Sequence, residues 1–133
     1  MRFLLDTNIC IYIIKQKPSK VFEKFRTLNL SDVGVSSITV AELEYGAYKS
    51  QRREQNRAAL TQFLIPLEVL PFDEKATQTY GQIRAELERR GIVIGAMDML
   101  IASQAISLGL TLVTNNVKEL SQIPNLIWEN WVE

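Results

Sequence analysis

The apolar positions of the chain change period several times, and each change marks an element. Phe3-Leu4-Leu5 is a short continuous apolar run, as a strand buried on both faces requires, and it ends at once in Asp6. Residues 7–15 follow with apolar side chains around most of a helical circumference, which predicts a helix buried on several sides. After Pro18, the residues Val21, Phe22, Phe25 and Leu28 recur at i, i+1, i+4 and i+7 between Lys20, Glu23, Lys24 and Arg26, the pattern of a surface helix with one core face. Residues 33–36 read as a second strand. Thr39-x-x-Glu42 then reads as a capping box opening a helix that carries Val40, Leu43 and Ala47.

A polar helical stretch over about residues 53–64 is stopped by Pro66, and residues 67–70 supply a third strand before Pro71. Asp73 caps the next helix, whose inward stripe is Ala76, Tyr80, Ile83 and Leu87 and whose end is marked by Gly91. Gly95-Ala96-Met97-Asp98 opens a further helix with an expected core stripe of Met97, Leu100, Ile101, Ala105 and Leu108, ending at Gly109. Residues 111–114 are the fourth strand, Asn115-Asn116 a turn or cap, and residues 126–128 the fifth strand.

Short strands alternating with helices predict an α/β fold: one domain over residues 1–133, with three α/β/α layers and a central parallel sheet linked by right-handed crossovers. Every strand of such a sheet points its carboxyl end to the same edge, and ligands bind at that edge where the strand order reverses. Asp6, Asn116 and Glu119 would meet there, with the helix starts that bear Glu42 and Asp98.

Composition narrows the chemistry available at that edge. Fifteen basic and fifteen acidic residues cancel, so any attraction for a polyanion must come from local patches such as Lys15, Lys17, Lys20 and Lys24, or Lys49, Arg52, Arg53 and Arg57, or Arg84, Arg89 and Arg90. With no histidine and a single cysteine, the chain cannot build a Ser-His-Asp triad, a Cys-His pair, a histidine zinc site or an internal disulfide. Cys10 lies in an all-apolar stretch and is expected in the core. No stretch approaches the roughly 20 apolar residues of a membrane span, and Asp6 interrupts the opening apolar run, so a cytoplasmic protein without membrane association is expected.

Carboxylate chemistry survives this elimination. Each acid alone has a structural explanation: Asp6 as a helix cap, Glu42 as part of a capping box, Asp98 as a complement to a helix dipole, Glu119 as the acid of a second box after Asn116. Together they are harder to explain that way, because acids gathered on one edge repel and raise one another's pKa. A bound Mg²⁺ or Mn²⁺ relieves that repulsion, suits oxygen ligands and can activate water against a phosphodiester.

Four motifs carry a family resemblance: Leu4-Leu5-Asp6-Thr7-Asn8; Ser37-Ile38-Thr39-Val40-Ala41-Glu42-Leu43-x-x-Gly46; Ile94-Gly95-x-x-Asp98-x-x-Ile101-Ala102; and Val113-Thr114-Asn115-Asn116-x-x-Glu119. In this order and spacing, over essentially the whole chain, they resemble the PIN-domain ribonucleases, specifically the VapC-type toxins of bacterial toxin-antitoxin pairs. The resemblance implies Mg²⁺- or Mn²⁺-dependent cleavage of RNA, often in the anticodon region of a tRNA, with the initiator tRNA expected here. It implies Asp6, Glu42 and Asp98 as the metal-binding core, Thr7 and Thr114 as supporting hydroxyls and Asn8 as an orienting side chain. Asn116 departs from the pattern, since many members carry a fourth acid there, and Glu119 is the candidate replacement. The partners implied are a second copy of the chain and a cognate antitoxin, with operator DNA reached only through the antitoxin. A non-catalytic RNA- or partner-binding module remains the alternative. An acid phosphohydrolase is disfavoured, because Asn8 stands where its second aspartate would be.

Overall fold

A computed structural model describes all 133 residues of the chain. Five parallel strands form the sheet: β1 (Phe3–Leu5), β2 (Val33–Ser36), β3 (Glu68–Leu70), β4 (Thr111–Val113) and β5 (Trp128–Glu129), in the spatial order β3-β2-β1-β4-β5. Seven helices connect or follow them: α1 (Thr7–Lys15), α2 (Ser19–Arg26), α3 (Ser37–Lys49), α4 (Arg53–Leu64), α5 (Glu74–Arg89), α6 (Ala96–Leu108) and α7 (Val117–Leu120). The chain moves outward from β1 through β2 to β3, then returns across to β4 on the other side of β1. The strand order therefore reverses between β1 and β4, and a crevice opens at their carboxyl ends.

The central strands β1, β2 and β4 are buried on both faces, as their apolar runs require, whereas the edge strands β3 and β5 are largely exposed. Period two sends Phe3 and Leu5 to one side, where Ile9, Cys10 and Ile13 of α1, Val21 of α2, Leu43 of α3 and Leu60 of α4 pack against them. Leu4 and Leu112 face the other side, against Ile83 and Leu87 of α5, Ile101, Ala102 and Ala105 of α6, and Leu120 of α7. Cys10 is fully buried, and burial pushes its thiol well above the ordinary value, so it serves as a small core residue. Gly91 and Gly109 follow α5 and α6 at φ +70° and +69°, the left-handed conformation that ends a helix without strain in glycine. No helix is long and apolar enough to cross a membrane.

Three local expectations are corrected. Helix α3 starts at Ser37 rather than Thr39, because Ser36 at the end of β2 caps it by accepting a hydrogen bond from the Ile38 N–H at 3.0 Å. Thr39 and Glu42 therefore lie inside the helix and form no capping box. In α6 the core residues are Met99, Ile101, Ala102, Ser103, Gln104 and Ala105, whereas Met97 and Leu108 are exposed near its ends. A helix apolar nearly all round offers no single stripe, and packing against α5, α3, β4 and α7 chooses the buried side. Strand β5 lies further along than residues 126–128, because pairing with β4 sets Leu112 opposite Trp128 and Val113 opposite Glu129. Trp131 is buried edge-on against Phe3, with ring centroids 5.6 Å apart.

The register of α6 makes a direct test. Met99→Ala should lower stability by about 2–3 kcal/mol in denaturant unfolding, through lost burial and a cavity. Met97→Ala, on the same helix, should change it by no more than about 0.5 kcal/mol.

Candidate active site

Asp6 stands at the crevice because three backbone constraints place it there. It ends the central strand, its N–H donates to the Val113 carbonyl of β4 at 3.0 Å, and its Oδ1 accepts the Ile9 N–H of α1 at 2.9 Å. A side chain that closes β1 and caps α1 at once has little freedom to turn away, and only 4% of Asp6 is exposed. The cap explanation for Asp6 is thus correct, and it also aims the carboxylate into the crevice.

Glu42 approaches from the second turn of α3. The Thr7 hydroxyl donates to its Oε1 at 2.6 Å, and the buried Thr39 hydroxyl lies 3.4 Å from that of Thr7. Thr7 has one hydrogen to give and gives it to the carboxylate, so the Thr39 hydroxyl is the donor in the second contact. The capping-box pair of the sequence is therefore part of a half-buried relay, Thr39 to Thr7 to Glu42, that joins α3 to the start of α1.

Asp98 lies in the first turn of α6 and is half-buried. The Asn116 side-chain amide donates to its Oδ2 at 3.1 Å. Asn116 begins α7 without capping it through its side chain, and its own N–H is bound by the buried Thr114 hydroxyl at 3.0 Å. Thr114, the residue after β4, also favours the ionised form of Asp6.

The electrostatics record the convergence. Burial, reinforced by the charges of Asp98 and Glu42, pushes the Asp6 carboxyl up to about 6 against the opposing hydrogen bonds of Thr114 and Ile9. Asp98 is raised by burial and by the charges of Glu42 and Glu119, with its Asn116 hydrogen bond acting the other way. Glu119, in α7, thus bears on Asp98. None of the four acids has a basic partner: the three ion pairs of the chain, Arg26–Glu23, Arg84–Glu88 and Arg89–Glu86, lie on exposed helix faces.

An all-oxygen donor set with surplus negative charge fits a hard divalent cation. No three acids draw together closely enough to form a ready-made cage.

Two further residues, Asn115 and Tyr12, belong to this neighbourhood although the sequence reading gave neither a part in the site. Asn115 donates through its side chain to the Tyr12 hydroxyl at 3.0 Å, tying α1 to the β4–α7 connection. The signal was one phenol with a polar tip in an otherwise apolar helix. Asn8 is exposed and takes no part in the hydrogen bonds of the site. Beside Glu42, a cleft of about 280 Å³ runs between α1, α3 and α4, lined by Ile11, Ile14, Leu43, Ala47, Asn56 and Leu60 among others.

Residues 3–126 match the PIN domain. The chain is 48% identical over 132 residues to a protein of Rickettsia felis named Ribonuclease VapC2, covering 98% of each. It is also 48% identical over 131 residues to the tRNA(fMet)-specific endonuclease VapC of Salmonella typhimurium, again covering 98% of each. Among solved structures it resembles a chain of DNA-bound VapBC from Salmonella typhimurium, with a TM-score of 0.93, 47% identity and 98% of each chain covered.

The raised Asp6 carboxyl has a consequence for the metal-free protein. Its folded value of about 6 lies above the ordinary 3.8, so the folded state binds the proton more tightly than the unfolded state does. Stability should be greatest below about pH 4 as far as this group decides it, fall as pH rises to about 6, and stay low above that, by roughly 3 kcal/mol in all. Asp6→Asn keeps a cap and loses the charge. In chelator, denaturant unfolding should show it more stable than the wild type at pH 7 and nearly equal to it at pH 4.

Proposed function

The chain belongs to the PIN-domain family, among its VapC-type toxins, and from that premise we propose that it is a Mg²⁺- or Mn²⁺-dependent endoribonuclease toxin of a bacterial toxin-antitoxin pair. One observation carries the metal-dependent reading: Asp6, Glu42 and Asp98 converge on the switch point of a parallel sheet with no basic side chain to neutralise them.

Asp6 and Asp98 are the residues to hold the ion, with Glu42 joining directly or through water. A bound divalent ion supplies water activation and neutralises charge on the phosphate undergoing displacement. The chain's own part is orientation. Thr7 occupies Glu42 Oε1 and leaves its other oxygen to accept a proton from the attacking water. Asn116 holds Asp98 Oδ2, which would leave the other oxygen of Asp98 available to a bound ion. Water adds to phosphorus, the bond to the 3′ oxygen breaks, and that oxygen takes its proton from solvent, since no histidine is present to supply one.

The name of the Salmonella relative supports a tRNA substrate, and we assign cleavage to the anticodon region of the initiator tRNA, in the cytoplasm, with arrest of translation and growth. The related VapBC structures support a cognate antitoxin as partner, which would cover the acidic crevice and carry the complex to operator DNA; the toxin itself is expected to be a homodimer.

Asp6→Asn and Asp98→Asn should each reduce cleavage of purified tRNA by at least about a hundredfold, and mapping of new RNA 5′ ends after induction should show one tRNA site with the wild type alone. Retained cleavage in the double variant would sink the assignment and favour a non-catalytic binding module. Millimolar Mg²⁺ should raise the unfolding midpoint of the wild type but not of Asp6→Asn. Asn116→Asp and Glu119→Gln together decide the fourth position: wild-type rates in both would place neither residue near the ion.

A further inference from the structure

Helix α3 carries more than Glu42 on the side that faces the crevice. Helical spacing places Tyr45, Gly46 and Lys49 at three, four and seven positions beyond Glu42, on the same face. A side chain at Gly46 would meet nothing within 4 Å, so the helix backbone is bare there, and Gly46 lines the cleft that begins at Glu42. Tyr45 is 66% exposed, unusual for a ring of that size, and its face meets the Lys49 ammonium 5.1 Å from the centroid. The stripe thus runs acid, open aromatic ring, cation.

A second aromatic and cation group extends it. The guanidinium carbons of Arg53 and Arg57, one turn apart on α4, lie 5.8 and 4.5 Å from the centroid of the Tyr48 ring. Arg53 Nε also donates to the Tyr48 carbonyl at 3.0 Å. The turn between α3 and α4 is stapled by the Ser50 hydroxyl to the Ala47 carbonyl at 2.7 Å and by the Asn56 amide to Ser50 at 3.0 Å. These cations are held in place before any ligand arrives. Residues 45–57 contain four basic side chains, Lys49, Arg52, Arg53 and Arg57, against one acid, Glu54, in a chain of zero net charge, and none of the four is in an ion pair.

We infer that this stripe is the binding track for single-stranded RNA beside the cleaved bond, with a base stacked on Tyr45 and the flanking phosphates on Lys49 and the α4 arginines. The inference rests on the ribonuclease reading of the same site and adds the substrate's path to it. Single-stranded RNA fits because it presents flat bases and phosphates in alternation, matching alternating rings and cations, and it is the nucleic acid that the ribonuclease reading supplies. An acidic protein segment would satisfy the cations and leave the open face of Tyr45 without use.

The test uses the intact protein and variants at two exposed side chains, Tyr45→Ala, Tyr45→Phe and Lys49→Ala, each checked by circular dichroism melting. Binding of a fluorescent single-stranded RNA is measured in chelator by anisotropy, and cleavage is measured separately with Mg²⁺. Tyr45→Ala should weaken binding roughly tenfold and act mainly through KM, while Tyr45→Phe, which keeps the ring, stays within about twofold. Lys49→Ala should lower the salt dependence of binding by about 0.7 in the log–log slope. An abasic nucleotide at the stacked position should erase the difference between Tyr45→Ala and wild type. If wild type cleaves and all three variants bind and cleave like it, the track is overturned while the nuclease stands. If wild type binds but never cleaves, and Tyr45→Ala and Lys49→Ala still weaken binding, the track stands and the nuclease reading fails. Unchanged RNA binding with weakened binding to the antitoxin would overturn it in favour of a protein partner.

Discussion

Asp6 is held at the carboxyl end of the central strand by its Ile9 and Val113 hydrogen bonds, and the rest of the site is arranged around the cost of burying it. Taking a carboxylate out of water disfavours its charge, and the nearby charges of Asp98 and Glu42 add to that penalty. The fold meets only part of the penalty, through the N-terminus of α1 and the Thr114 hydroxyl. What is left over is a surplus of negative charge, on which the proposed metal dependence rests. A site that binds a metal needs such a surplus, since acids fully satisfied by lysine or arginine would have no affinity to offer.

The supporting groups follow the same logic on a smaller scale. Thr7, Thr39, Thr114 and Asn116 are neutral donors that orient the acids without cancelling their charge. Asn116 is the informative member. An aspartate there would add a charge beside Asp98, whereas the amide donates a hydrogen bond to it and leaves Glu119 as the more distant acid that still raises its pKa.

Charge is partitioned along α3 in the same spirit. Its amino-terminal half brings Glu42 to the acidic crevice, and its carboxyl end, with the turn into α4, gathers cations around two tyrosines. Zero net charge thus conceals two poles set side by side. A polyanion drawn only by the proposed cation at the acids would have little to hold it in register, while one lying along the basic stripe could place one phosphate at the crevice.

The sequence by itself determined the element order, the parallel sheet with its buried central strands, and the placing of Asp6 and Asp98 at its carboxyl edge. Those features depend on local periodicity, on caps and on the rule that parallel strands share one carboxyl edge, all of which are written in neighbouring residues. Tertiary structure decided the rest. Ser36 outcompeted Thr39 for the cap of α3 because the end of β2 set where that helix starts, which turned the Thr39–Glu42 pair from a box into part of a relay with Thr7. The buried side of α6 was chosen by its neighbours, since an apolar circumference carries no preference of its own. The Asn116–Asp98 and Asn115–Tyr12 bonds join residues 18 and 103 positions apart, and only the crossing from β3 back to β4 brings such partners together.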